Sequence, residues 1–105
     1  MGSAVKSKGD ILQRLRRHKD EIHSLGVEKL GLFGSFVRDE QKPESDVDLL
    51  VRFRLGEKSF DRFMELSDLL EDVLQRRVEL VTTEGLSPYL GPRILQEVQD
   101  VAFDS

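Results

Sequence analysis

The stretch from Asp46 to Phe53, Asp-Val-Asp-Leu-Leu-Val-Arg-Phe, constrains the fold most. Leu49-Leu50-Val51 is apolar at consecutive positions, the pattern of a strand buried on both faces. Such a strand needs neighbours on each side and a covering layer. At 105 residues the chain has room for one core of this kind and no second one. Asp46 and Asp48 stand at i and i+2, so on a strand they share one face, with Val47 on the other. Two ionised carboxylates this close repel, and the arrangement is costly without a cation. Hard oxygen ligands suit Mg²⁺, which takes one or two carboxylates together with substrate phosphates. Taken alone, Asp-x-Asp also fits a solvated acidic loop entering a strand.

The rest of the chain places helices between strands. A helix is predicted from about Gly9 to Leu25, with start signals at Ser7 and Asp10 and a stop at Gly26. Residues 1–8 read as a flexible tail on a single domain spanning 1–105. Val27–Phe33 is a strand interrupted by Gly31. Phe36–Glu40 is one helical turn, and Gln41–Ser45, with Pro43, is a loop. After the Asp46–Phe53 strand, Ser59 caps a helix running to about Arg76, and Val78–Thr82 is a third strand. Ser87-Pro88 starts a last helical stretch, which Gly91-Pro92 breaks or restarts, and Val101–Ser105 frays. This order predicts an α/β (α+β) fold: a small mixed sheet with flanking helices.

Charge and composition narrow the function. Net charge is −4, with seven Lys/Arg against four Asp/Glu in residues 1–30 and nine against sixteen in 31–105. An acidic body argues against broad nucleic-acid binding through a basic face. The apolar runs are too short to span a membrane, and residues 1–10 lack the apolar segment of a signal peptide. The chain has no cysteine, which excludes disulfides and thiolate metal sites and is compatible with the cytoplasm. The basic run Arg14, Arg16, Arg17 and Lys19 reads as a solvated helix face. Tyr89 reads as a packing residue of the last helix.

Ten intervening residues separate Gly34-Ser35 from Asp46. Glycine opens backbone conformations closed to other residues and lets a ligand approach closely. If Ser35 opens a helical turn, successive N–H groups point at an anion. By itself Gly-Ser after a strand is usually just a turn. Arg38, one short turn on, can meet a phosphate or hold the loop. Glu79 is the odd residue in the strand Val78–Thr82: Val78 and Leu80 face one way and Glu79 the other. If that strand neighbours Asp46–Phe53, Glu79 approaches the aspartate pair. Otherwise it points to water from an edge.

The whole stretch GSFVRDEQKPESDVDLLVRF, residues 34–53, resembles the signature of the DNA polymerase β-type nucleotidyltransferase superfamily. More narrowly, the chain resembles the minimal nucleotidyltransferases (MNT, MntA-like). RVELVTTEGLSPYLGPRILQEV, residues 77–98, is similar to that family's third-carboxylate strand and closing helix. The resemblance implies a polymerase β-like core. It implies that Gly34, Ser35 and Arg38 bind the nucleotide phosphates. It also implies that Asp46, Asp48 and Glu79 are the catalytic carboxylates and hold two Mg²⁺ ions. The implied reaction is attack of a hydroxyl on the α-phosphate of ATP, with pyrophosphate leaving. The implied partner is a HEPN-type toxin, silenced by AMP transfer to a tyrosine in a type VII-like toxin–antitoxin pair. The alternative is an antitoxin or nucleotide-binding module that neutralises its partner by binding alone. Two positions depart from the family pattern: Asp39 stands where glycine is usual, and Glu79 where aspartate is common.

Overall fold

The computed structural model describes residues 3–101. Helices α1 (Lys8–Arg17) and α2 (Lys19–Ser24) precede strand β1 (Val27–Phe33). Strand β2 (Val47–Phe53), helix α3 (Phe60–Leu74) and strand β3 (Val78–Thr82) form the middle of the chain. Helix α4 (Gly91–Glu97) and the short strand β4 (Gln99–Asp100) follow. The sheet is mixed, in the order β3-β2-β1-β4. β2 runs antiparallel to β1 and parallel to β3, and β1 runs antiparallel to β4. β2 therefore lies inside the sheet, and Leu49, Leu50 and Val51 are all buried, as their unbroken apolar run predicts.

One face of the sheet carries the core. Leu30 and Leu32 of β1, with Val47, Leu49, Val51 and Phe53 of β2, pack with Ile11, Leu15, Ile22, Leu66, Leu70 and Leu74 of the helices. Ser59 caps α3 by accepting a hydrogen bond from the Arg62 N–H at 3.1 Å. Ser7 caps α1 in the same way, accepting from Asp10 N–H at 3.2 Å, while Asp10 Oδ2 accepts from Lys6 N–H at 3.0 Å.

Four details depart from the sequence expectation. The first helix is two helices, because His18 leaves helical geometry (φ −108°, ψ 21°) between Ile11/Leu15 and Ile22. A polar residue stands there where a continuous apolar stripe would need another core contact, so little holds the helix straight. The segment read as a tail contributes Val5 to the core, with its N–H on Leu74 O at 3.1 Å; residues 1 and 2 lie outside the described residues. Ser87 does not start a helix. Its hydroxyl accepts from the N–H groups of Tyr89 and Leu90, closing a turn, and α4 begins at Gly91. That turn leaves Tyr89 exposed rather than packed. Finally, Gln99–Asp100 adds an edge strand beside Gly31 and Leu32. Residues 102–105 of the expected frayed end lie outside the described residues.

Candidate active site

The second face of the sheet carries polar side chains at the same alternation. Asp48 pairs with Glu79 across the parallel β2–β3 ladder. Neighbouring strands stand about 4.8 Å apart, so residues in register on one face bring their side chains together. β3 is an edge strand and Glu79 is exposed, yet its neighbour places it against Asp48. Asp48 is half-buried and pushed up to about 7. Burial is the leading cause, followed by the hydrogen bond with Glu79 and the negative charges of Glu79 and Asp46; Arg38 opposes them weakly. A hydrogen bond between two carboxyl groups requires a shared proton, and that is the balance an approaching cation would change.

Gly34 joins this carboxylate pair to the Gly-Ser turn. Its φ is +83°, a region that favours glycine. A β-carbon built there would collide with Asp48 Oδ2. Glycine is thus required twice, for the turn and for the seat of Asp48. The turn that follows is tied by Val37 N–H and Arg38 N–H to Gly34 O and by Glu40 N–H to Ser35 O. Phe36 anchors it in the core, buried beneath the Arg76 guanidinium 5.1 Å from its ring centre. Ser35 is half-buried at the head of this turn.

The structure brings Gly34, Asp48 and Glu79 together, with Asp46 near enough for its charge to raise Asp48. Among the described residues, however, no set of three His, Cys, Asp or Glu side chains is arranged to hold a metal ion. Asp48 and Glu79 meet across the ladder, and the charge of Asp46 is felt at Asp48. The chemistry of the donor set suits a hard divalent ion.

Two residues that sequence reasoning passed over shape the site. Arg76 donates to Val5 O at 2.7 Å, Pro43 O at 3.0 Å and Ser45 O at 2.8 Å, tying down the loop that delivers Asp46. Glu97, the last residue of α4, accepts the Gly34 N–H at 2.8 Å and binds Arg38 Nη1 at 2.9 and 3.1 Å. Burial pushes Glu97 up, but the Gly34 N–H and the Arg38 guanidinium together hold it below the usual carboxylate range. Arg38 is raised in turn, by its hydrogen bonds to Glu40 and Glu97. The sequence held one hint of Glu97: a carboxylate in the last turn opposes the helix dipole and needs a partner elsewhere. Arg14, in the run read as solvated, instead donates to Val73 O at 3.2 Å and fixes α1 to α3.

The sequence model described as "Nucleotidyltransferase domain" matches residues 15–101, which include every element of this site. The chain belongs to that family. It is 42% identical over 96 residues to the protein adenylyltransferase MntA of Thermococcus cleftensis, covering 90% of this chain and 96% of the relative. A solved structure described as a minimal nucleotidyltransferase superposes with a TM-score of 0.71 at 32% identity, covering 93% of this chain and 98% of the other. A chain of the complex between tri-AMPylated Shewanella oneidensis HEPN toxin and MNT antitoxin shares the fold. Its TM-score is 0.62 at 18% identity, covering 89% of this chain and 73% of that one. In this nucleotidyltransferase domain Asp39 has a φ of +58°. Aspartate enters that left-handed region more readily than most residues, but at a cost glycine avoids. No helix among the described residues is long and apolar enough to cross a membrane.

Proposed function

We propose that this nucleotidyltransferase transfers AMP from ATP to a hydroxyl, a tyrosine of a HEPN-type toxin, and so acts in the cytoplasm as the antitoxin of a toxin–antitoxin pair. One observation carries the reading: Asp48 is seated between the Gly34 turn and Glu79, so that an anion cradle and a carboxylate pair share one end of the sheet. The names of the relatives support the substrate class, since the Thermococcus cleftensis relative is a protein adenylyltransferase. The AMPylated toxin in the Shewanella oneidensis complex supports the acceptor.

In this reading the backbone of Gly34-Ser35 and the Arg38 guanidinium hold the β- and γ-phosphates. Asp46, Asp48 and Glu79 would hold Mg²⁺. When bound, Mg²⁺ supplies charge neutralisation at the α-phosphate and lowers the pKa of the attacking hydroxyl. Asp48 and Glu79 orient the acceptor side of the site, and Glu79, on the edge strand, faces the incoming hydroxyl. The acceptor oxygen bonds to the α-phosphorus as the bond to the bridging oxygen breaks. Pyrophosphate leaves, and the hydroxyl proton passes to a carboxylate or to water.

The test is incubation of the chain with α-labelled ATP, Mg²⁺ and the HEPN-type partner. Label is expected on the partner, and changing both Asp46 and Asp48 to Asn reduces it at least ~100-fold, the scale of losing positioned charge at a transferring phosphoryl group. Toxin neutralisation that survives the double change without any label would replace catalysis with binding alone.

A further inference from the structure

We propose that Glu97 is an internal competitor for the phosphate cradle, and that a nucleotide triphosphate must displace its carboxylate in order to bind. This rests on the reading of Gly34, Ser35 and Arg38 as the cradle. The Glu97 carboxylate takes the Gly34 N–H at 2.8 Å and Arg38 Nη1 at 2.9 and 3.1 Å. A backbone N–H beside an arginine fork is the donor set that recognises a phosphate oxygen pair, and a carboxylate is its nearest side-chain mimic. The Glu97 side chain is 22% exposed and that of Arg38 42%, so the ion pair lies at the surface, and the part-buried contact is the one to the Gly34 N–H. Two anions cannot occupy the same donors at once, and like charges at that separation repel.

The release needs no unfolding. Gln99 and Asp100 are held in the sheet by pairing with Leu32 and Gly31, and Val101 N–H bonds Leu30 O at 2.8 Å. The backbone beyond Glu97 is therefore anchored, and rotation of one side chain empties the cradle. Arg38 keeps Glu40 at 2.9 Å as a second partner, so the guanidinium stays beside the turn when Glu97 leaves. The competitor lowers apparent nucleotide affinity by the fraction of molecules in which the cradle is open. A carboxylate that merely held Arg38 in position would do the opposite, because its loss would disorder the cradle.

The sign of one substitution separates these roles. Calorimetric titration with the Mg²⁺ complex of α,β-methylene-ATP, without acceptor, is made on the full chain and on Glu97→Gln, Glu97→Ala and Arg38→Ala. We expect Glu97→Gln to bind about tenfold more tightly, equivalent to about 1.4 kcal/mol, and Arg38→Ala to bind more weakly than the unaltered chain. Weakening by Arg38→Ala with no gain from either Glu97 variant keeps the cradle and overturns the competitor. Binding that Arg38→Ala leaves untouched, or no binding by any chain, overturns both. A second measurement uses the unaltered chain: the side-chain carboxyl carbon resonance of Glu97 shifts to that of a solvated glutamate as tripolyphosphate is added. A resonance that stays in place while the Gly34 amide responds overturns the proposal.

Discussion

The two faces of strand β2 meet opposite demands with alternate residues of one segment. Val47, Leu49, Val51 and Phe53 face the helices, and none is more than 8% exposed. Asp48 and Arg52 stand on the other face with Leu50 between them, and Asp48 sits against Glu79 and Gly34. The core face is stabilised by burial, about 1.5–3 kcal/mol for each large apolar side chain. The other face spends stability on a carboxylate pair that repels itself. The contrast teaches that the site depends on register: a slip of one residue would send Asp48 into the core and Leu49 into the site.

Breaking the core face has the largest effect. Leu49→Ala should cost about 3 kcal/mol and lower Tm by more than 10 °C in a domain of this size, read by thermal melting. A loss below 1 kcal/mol would mean that the site face contributes most of the stability. Arg76→Ala attacks the border between the faces. It removes donors from Val5, Pro43 and Ser45 and the stack on Phe36, and should cost about 2 kcal/mol. Hydrogen exchange should rise in residues 41–46 before it rises in β2, and uniform loosening would contradict the assigned role.

Asp48→Asn sharpens the comparison, because on the site face a substitution should stabilise. The carboxyl of Asp48 is raised from 3.8 to about 7 in the folded chain. The folded state therefore binds this proton more tightly than the unfolded state. Its contribution to stability is complete below pH 3.8 and is lost as pH rises through about 7. Above neutrality the Asn variant should exceed the unaltered chain by on the order of 1 kcal/mol after screening, and at pH 4 the gap should close. Added Mg²⁺ should narrow the gap at pH 8; a gap that ignores both pH and Mg²⁺ would show that Asp48 is not under charge strain. Smallest of all, Asp39→Gly relieves a left-handed residue at φ +58° and should add about 0.5 kcal/mol. Unchanged Tm would show that local hydrogen bonding already offsets the strain.

Much of this was legible in the chain. The boundaries of β1 and β3 and the Ser59 cap follow from apolar period and cap chemistry, which are local. The break at His18 was less visible, because helical spacing continues through it and only missing core contacts reveal it. β4 has two residues and no pattern of its own, and pairing with Gly31 and Leu32 creates it.

What the sequence determined by itself was the family, the central strand and the identity of the acidic and glycine residues, since each depends on residue type at short spacing. Only the tertiary structure decided that Glu79 meets Asp48, that Gly34 leaves the room Asp48 occupies, and that Glu97 accepts the Gly34 N–H. Gly34 and Glu97 are 63 residues apart. Strand pairing and the close of the last helix bring them together, and no local preference encodes that approach.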